Sequence, residues 1–364
     1  MRKWICFVLS MFYFIYPISS YANYQAENIP VWSKDVTIET FHQIKNKVEL
    51  GIDSASAILM DEDSGTFLYA KNEHEKLRPA SVTKVMTILL LMEAIDKGEV
   101  KLTDKVPCSA KARQMGGSQI WLNETEELTV DEMLKAITVV SANDCCVAFA
   151  EFLGGTEEAF VQKMNERAKE LGMNDTTFKN SHGIDEEGHL TSAYDIAIMS
   201  RELSKNHPTI HNYTTIWTDT LRDGKSQLVN TNKLVRFYSG CTGLKTGSTS
   251  LALFNLSATA TRNDLNLIAV VMKGATSQQR FDDAKALLDY GFANFSNKVL
   301  IKKDESVTKL QIDKAKIPEV EIVAGSDLRA LVNKSDEKNI TTEIVMNENI
   351  IRKSRMKKTS SLPI

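Results

Sequence analysis

A serine three residues before a lysine can be a nucleophile beside its own base. Four such pairs occur in this chain: Ser81/Lys84, Ser306/Lys309, Ser335/Lys338 and Ser354/Lys357. Chance gives on the order of one match in a chain of this length, so context has to choose among them. The tetrapeptide Ser-Val-Thr-Lys itself occurs twice, at 81–84 and at 306–309. Residues three apart share one face of a helix but point to opposite faces of a strand. Ser306 and Lys309 lie in DESVTKLQI, whose alternation predicts a strand, so their side chains should diverge. Ser335/Lys338 falls in a charged loop and Ser354/Lys357 in a basic tail, and neither setting buries a lysine. Only Ser81 opens a long apolar run, which predicts a buried helix over 82–97 with Gly98 as its stop. Lys84 is then one turn in, near Val85, Ile88 and Leu89, and a desolvated lysine is a better base. Pro79 suits a helix entrance, and the positive end of the helix dipole would favour an oxyanion at Ser81. The plainer alternative makes Ser81 a helix cap.

Two further triplets carry chemistry. Ser141-Ala142-Asn143 lies at the break between two predicted helices. A hydroxyl and a carboxamide on such a turn can point into one cleft, the first to pass a proton to a leaving amine, the second to bind a substrate backbone. The alternative for Ser141 is again a cap. Lys245-Thr246-Gly247 begins a strand-like stretch, LKTGSTS. Lys245 could hold an anionic substrate, Thr246 could donate to a carboxylate, and Gly247 permits close backbone approach. Its alternative is a solvated turn lysine. Each triplet is common alone; the three together, in this order and setting, are specific.

The elements that must position these residues can be read from pattern. Residues 55–60 and 66–70 flank the turn Asp63-Ser64-Gly65 as a hairpin. Thr129 and Glu132 form a capping box for a helix to about 140. Further helices are expected over 143–152, stopped by Gly154-Gly155, and over 157–171. Residues 176–192 read as loop, and Ser192 with Asp195 caps a helix ending near 203. A second hairpin pairs 252–261 with 265–272, and 279–293 returns to helix. Helices in the middle with strands at both ends predict an α+β fold, an antiparallel sheet covered by helices. The expected domain reading is 1–22 leader, 23–296 main domain, 297–350 small β-rich domain, and 351–364 basic flexible tail.

Composition narrows the function class. The chain has 364 residues, a net charge of −3 and a pI near 6.1, which gives no nucleic-acid signal. Arg2 and Lys3, a short apolar run and Ser20-Tyr21-Ala22 make an export signal with cleavage expected after Ala22, so the protein is expected at the extracytoplasmic face of the envelope. Cys108, Cys145, Cys146 and Cys241 match no disulfide framework and read as mostly buried thiols. Five basic residues from Arg352 to Lys358 could touch anionic lipid weakly.

Taken together, Ser81-x-x-Lys84, Ser141-Ala142-Asn143 and Lys245-Thr246-Gly247 resemble the motif set of the penicillin-binding and serine β-lactamase superfamily. RPASVTKVMT, VNTNKL, GLKTGST, SATATR and FKNSHGIDEEGHLTSAYDIA are similar to the low-molecular-mass D-alanyl-D-alanine carboxypeptidases, the S11 serine peptidases. The resemblance covers about residues 30–295 and, less closely, the C-terminal segment. It implies a β-lactamase/transpeptidase-like domain followed by a small β module. It also implies Ser81 as acyl-enzyme nucleophile, Lys84 as general base, and Ser141 and Asn143 assisting proton transfer and substrate binding. Lys245 and Thr246 would bind substrate, and the N–H groups of Ser81 and Ser248 would form the oxyanion hole beside Gly247. The reaction would remove the terminal D-alanine from peptidoglycan stem pentapeptides, in peptidoglycan maturation, with β-lactams as covalent inhibitors and no metal or cofactor. The chain departs from common members at Thr242, where many have Asp, at Thr231, where some have Arg, and at ALFNL (252–256), where many read AGYCL. The family often ends in an amphipathic anchor helix, and the end here lacks an apolar face.

Three rivals remain. A β-lactamase needs a deacylating glutamate on a loop, and residues 165–190 offer no match. A zinc peptidase would use His182 and His189, but seven residues apart in a loop, without HExxH, they read as packing histidines. A non-catalytic wall-binding protein would not keep all three motifs.

Overall fold

The computed structural model describes residues 13–14, 48–311 and 319–337. The leader apart from Tyr13–Phe14, the basic tail, and the lysines of the Ser335 and Ser354 pairs lie outside them. The chain divides into two compact units: Gln43–Phe295, and Met1–His42 with Ser296–Ile364.

The larger unit is built on five antiparallel strands: β1 (Ser56–Asp61), β2 (Phe67–Lys71), β3 (Cys241–Thr249), β4 (Leu253–Arg262) and β5 (Leu265–Gly274). They lie in the order β2-β1-β5-β4-β3, so β3 is an edge. Both expected hairpins form. The β4–β5 turn uses Asn263 and Asp264, both at positive φ, as a tight two-residue hairpin requires. β1 is buried along its whole length. Its run Ser-Ala-Ile-Leu-Met does not alternate, the mark of a strand covered on both faces.

Six main helices follow chain order: α1 (Lys84–Asp96), α2 (Val130–Val140), α3 (Asn143–Gly154), α4 (Glu157–Glu170), α5 (Ala193–Asn206) and α6 (Ser277–Asn294). α5 and α6 pack on the sheet, while α1 packs against α3, α4 and α5. α1 carries apolar residues nearly all round, and Val85, Met86, Ile88, Leu89, Leu91 and Met92 are buried, as expected of a central helix. The Thr129/Glu132 capping box is made in full. Ser192 accepts from the Asp195 N–H at 3.2 Å, as expected. α5 runs three residues past Leu203, because Ser204 and Lys205 find partners on the β1–β2 turn and extend the helix beyond its apolar pattern.

One correction concerns the Ser81 turn. Ser81 does not open an α-helix. It lies in a 3-10 turn, Ala80–Thr83, and the α-helix begins at Lys84. Ala80 sits at φ +48°, which bends the chain after Pro79 and tightens the entrance. The helix-dipole expectation at Ser81 is therefore replaced by the geometry of the tighter turn.

In the C-terminal unit, β6 (Phe295–Ile301) pairs with β9 (Leu328–Asn333), and β7 (Ser306–Gln311) pairs with β8 (Glu319–Ala324). Tyr13–Phe14 pairs with Val323–Ala324 on β8. The fold is the expected α+β class, a helix-flanked antiparallel sheet with a C-terminal β module.

Candidate active site

In a 3-10 turn, side chains at i and i+3 eclipse. That places the Lys84 ammonium nitrogen 2.8 Å from Ser81 Oγ. Lys84 Nζ also donates to Asn143 Oδ1 at 2.7 Å and to the His182 carbonyl at 2.6 Å. The side chain is wholly buried, and burial pushes its pKa down to about 8. A neutral amine has two hydrogens and one lone pair. The Asn143 and His182 oxygens take the hydrogens, which leaves the lone pair for the Ser81 hydroxyl.

The partners of Lys84 come from distant segments, and each is itself braced. Asn143 is the first residue of α3, and its Nδ2 donates to Gly116 O at 2.7 Å. Its own N–H donates to Ser118 O at 2.7 Å. Asp144, next in the helix, accepts from the N–H groups of Ile120 and Leu122, so the 116–122 loop is clamped at both ends. Ser141 terminates α2 in a left-handed conformation, φ 66° and ψ 37°. Its Oγ is buried and has no hydrogen-bond partner among the described residues. A buried hydroxyl of this kind is a spare donor and acceptor beside the cleft.

The His182 carbonyl is held by the 180–184 loop. Glu157 accepts from the N–H and hydroxyl of Ser181 at 3.1 and 2.7 Å, and Thr87 donates to Ser181 O at 2.6 Å. Gly183 sits at φ +91°, and a Cβ there would lie 1.9 Å from Ala80 O. No other residue type fits that approach. The two histidines weighed as metal ligands are engaged elsewhere. His189 accepts from the Lys179 N–H and donates to Thr83 Oγ1 at 2.9 Å. His182 Nδ1 accepts from the Ile184 N–H at 3.1 Å. Burial pushes their pKa values down to about 4 for His182 and about 3 for His189. Among the described residues, one group gathers three metal-ligand atoms, Glu93, Glu202 and His207, and the Arg167 guanidinium lies on both carboxylates.

β3 forms the other wall. Lys245 is not the solvated turn lysine of the plainer reading; it is buried on the strand and donates to Thr246 O at 3.0 Å. Its pKa is pushed well down by burial and by the facing charge of Lys84. A carboxylate brought beside it would favour its charged form again. Thr246 Oγ1 lies 2.7 Å from Thr231 Oγ1. At Gly247 a Cβ would lie 2.8 Å from Pro79 O and 2.9 Å from the Ser81 nitrogen. The strand therefore docks directly on the Ser81 turn, with Ser248 next along it, exposed.

Two bracing residues escape the motif reading. Asn255, within ALFNL, donates to the carbonyls of Arg78 and Pro79 at 2.8 and 3.0 Å and accepts from the Lys273 N–H at 2.7 Å. A polar residue amid an apolar strand was its one signal. Arg280 of α6 is buried between Phe254 and Phe281, and donates to Gly247 O at 3.2 Å and Asn255 O at 3.3 Å. Burial pushes its pKa down to about 10.

Residues 42–276 match peptidase family S11, D-alanyl-D-alanine carboxypeptidase, and residues 295–358 match the C-terminal domain of penicillin-binding protein 5. The chain belongs to the S11 family. It is 45% identical over 310 residues to the D-alanyl-D-alanine carboxypeptidase DacF of Bacillus subtilis, across 84% of this chain and 79% of that one. Penicillin-binding protein 5 from Haemophilus influenzae superposes with a TM-score of 0.71 at 30% identity, over 79% of this chain and 84% of that one. Penicillin-binding protein D2 from Listeria monocytogenes, in its ampicillin-bound form, superposes at TM-score 0.62 and 29% identity, over 67% of this S11 chain and 100% of its own.

Proposed function

We propose that this chain is a serine-type D-alanyl-D-alanine carboxypeptidase that removes the terminal D-alanine of peptidoglycan stem pentapeptides. The observation that carries the reading is the Lys84 amine, 2.8 Å from Ser81 Oγ with its other two contacts fixed. Lys84 takes the Ser81 proton as Oγ attacks the penultimate D-alanine carbonyl. The oxyanion is received by the N–H groups of Ser81 and Ser248. The C–N bond breaks as Ser141 passes its proton to the leaving nitrogen and takes a replacement from protonated Lys84, which leaves the amine neutral again as D-alanine departs. Water then attacks the Ser81 ester and gives a proton to the neutral Lys84, which passes it to Ser81 Oγ as the ester C–O bond breaks and the tetrapeptide is released. Asn143 orients the substrate backbone, while Lys245 and Thr246 hold its terminal carboxylate.

The ampicillin complex of the Listeria relative supports the same site accepting β-lactams. We place the protein outside the cytoplasm, exported by its leader, acting in peptidoglycan maturation and held to membrane at most weakly by its basic tail. No helix among the described residues is long and apolar enough to cross a membrane. The test is to incubate the purified protein with labelled penicillin and find the modified residue by mass spectrometry. Label is expected on Ser81 and absent from S81A; label elsewhere, or none, overturns the reading.

A further inference from the structure

At the Thr242 end of β3, a chain of hydrogen bonds runs from the β1–β2 turn through α5 to the strand that carries Lys245. Ser204 Oγ lies 3.2 Å from Glu62 Oε2 and 3.0 Å from His211 Nε2. The other ring nitrogen, His211 Nδ1, lies 3.0 Å from the Thr242 carbonyl, three residues before Lys245. Glu62 and Ser204 are buried. None of these three side chains takes part in the chemistry described above.

Counting hydrogens shows what the arrangement requires. Three bonds join Glu62 to Ser204, Ser204 to His211, and His211 to Thr242, and each needs one hydrogen. The serine hydroxyl supplies one and a neutral imidazole supplies one. The Thr242 carbonyl is an acceptor only, so Nδ1 must carry its hydrogen toward it. The third hydrogen has two possible seats, the Glu62 carboxyl or His211 Nε2, and from either seat all three bonds are made. Remove it and one bond is lost. An ionised Glu62 draws the serine hydroxyl hydrogen, since a charge-assisted bond is the stronger one. The serine oxygen then faces Nε2 as an acceptor, and because the Thr242 carbonyl keeps its donor in Thr214, the ring's single hydrogen shifts to Nε2. The Thr242 carbonyl is left opposite a bare Nδ1.

We propose that Glu62 and His211 share one proton through Ser204, and that this proton holds the Thr242 carbonyl and so positions the Lys245-Thr246-Gly247 strand. They are positioning residues; none touches substrate. The inference rests on the carboxypeptidase reading for its effect on rate, though not for the proton itself. Thr214 is the other donor to the same carbonyl, at 2.6 Å, so loss of the His211 bond loosens the strand without freeing it.

The surroundings set when the proton leaves. Burial, with Asp63 and Asp61 beside it, pushes the Glu62 carboxyl up to about 7, against its bond from Ser204 and the opposing charge of Lys205 on α5. Arg201, also on α5, spends its guanidinium on the Glu62 and Asp63 backbone carbonyls at 2.6 and 3.0 Å. His211 is held down by burial, and the groups it meets, Ser204, Thr214 and Thr242, are uncharged. The third hydrogen therefore exchanges with solvent just below the range in which Lys84 becomes a base.

The test uses E62Q. A glutamine amide donates permanently to the serine oxygen, which locks the three-bond state at every pH. In the full-length protein labelled with 15N-histidine, His211 is expected to keep its hydrogen on Nδ1 in E62Q from pH 5.5 to 9. In the wild type it should move to Nε2 across neutrality. The ratio of acylation rate constants with labelled penicillin, E62Q over wild type, should be near one at pH 6. It should rise by roughly threefold at pH 8.5, the weight of one net hydrogen bond. A His211 tautomer that ignores pH in the wild type, or that moves identically in E62Q, overturns the proposal. If E62Q does not fold, S204A decides: it must abolish the wild-type tautomer change, and survival of the change overturns the proposal. Absence of Ser81 labelling in the wild type would instead sink the carboxypeptidase reading, with the NMR result still reporting on the proton.

Discussion

The same four residues, Ser-Val-Thr-Lys, are built twice, with opposite results. At 81–84 they form a 3-10 turn entering a buried helix, and amine and hydroxyl meet at 2.8 Å. At 306–309 they form the start of β7, where a register shift separates Ser306 from Thr308. Ser306 is exposed there, and Lys309 reaches away to Glu319 at 2.8 Å. The titrations differ in sign as well. Burial pushes Lys84 down to about 8, while its bond to Glu319 raises Lys309. A motif is thus a statement about backbone: only a tight helical turn brings the two groups together, and only burial turns the lysine into a base.

The largest expected effect breaks the first copy. K84A should lower acylation by labelled penicillin by at least roughly a thousandfold, since nucleophile and base act as a unit. K84R should be nearly as poor, because a guanidinium stays protonated. Next comes pH. The neutral fraction of Lys84 grows about tenfold per unit below its pKa, so acylation should climb from pH 6 and level off above about 8. The sign follows from a depressed amine, whose useful form is the deprotonated one. A rate that falls as pH rises from 6 to 8 would refute Lys84 as base.

Much of this was legible before any coordinates, and the physical reason is locality. The capping box at Thr129/Glu132, the Asn263-Asp264 turn and the helix of 84–96 are written in residues within four positions of each other. The three triplets were legible because each is local too, although their meeting is not. What pattern could not supply is the set of long-range braces. The His182 carbonyl reaches Lys84 across 98 residues, Asn255 reaches Pro79 across 176, and Arg280 reaches Gly247 across 33. Nor could spacing tell a 3-10 turn from an α-helix at Ser81, since both bring i and i+3 together. That difference depends on Ala80, which is pinned under Gly183 from another loop.

Those braces give the middle-sized effects. G183A places a methyl group in the Ala80 carbonyl and asks alanine to hold φ +91°. It should cost about 3 kcal/mol of stability by thermal or urea unfolding, with acylation falling too. N255A strips three backbone groups of their partner, one buried and two partly buried, and should cost about 2 kcal/mol. The alanine methyl at 183 would also lie 3.0 Å from the Ser81 nitrogen, but neither change alters the Lys84 or Ser81 side chain, so a variant that keeps full stability and full rate would show that the Ser81 turn holds its own shape.

The smallest effect sharpens the comparison from the other side. S306A and K309A, singly or together, should leave acylation unchanged within error, and labelled penicillin should still mark Ser81 alone. Their side chains diverge on a strand, and the lysine is solvated and paired with a glutamate, so neither the proximity nor the depressed amine that the reaction needs is present. A stronger version removes the first hydroxyl and leaves the second copy intact. With Ser81 already replaced by alanine, the intact second copy offers every residue of the tetrapeptide and should restore nothing. Any penicillin bound covalently at Ser306 in S81A would mean that the residues, not the turn and its burial, make the nucleophile.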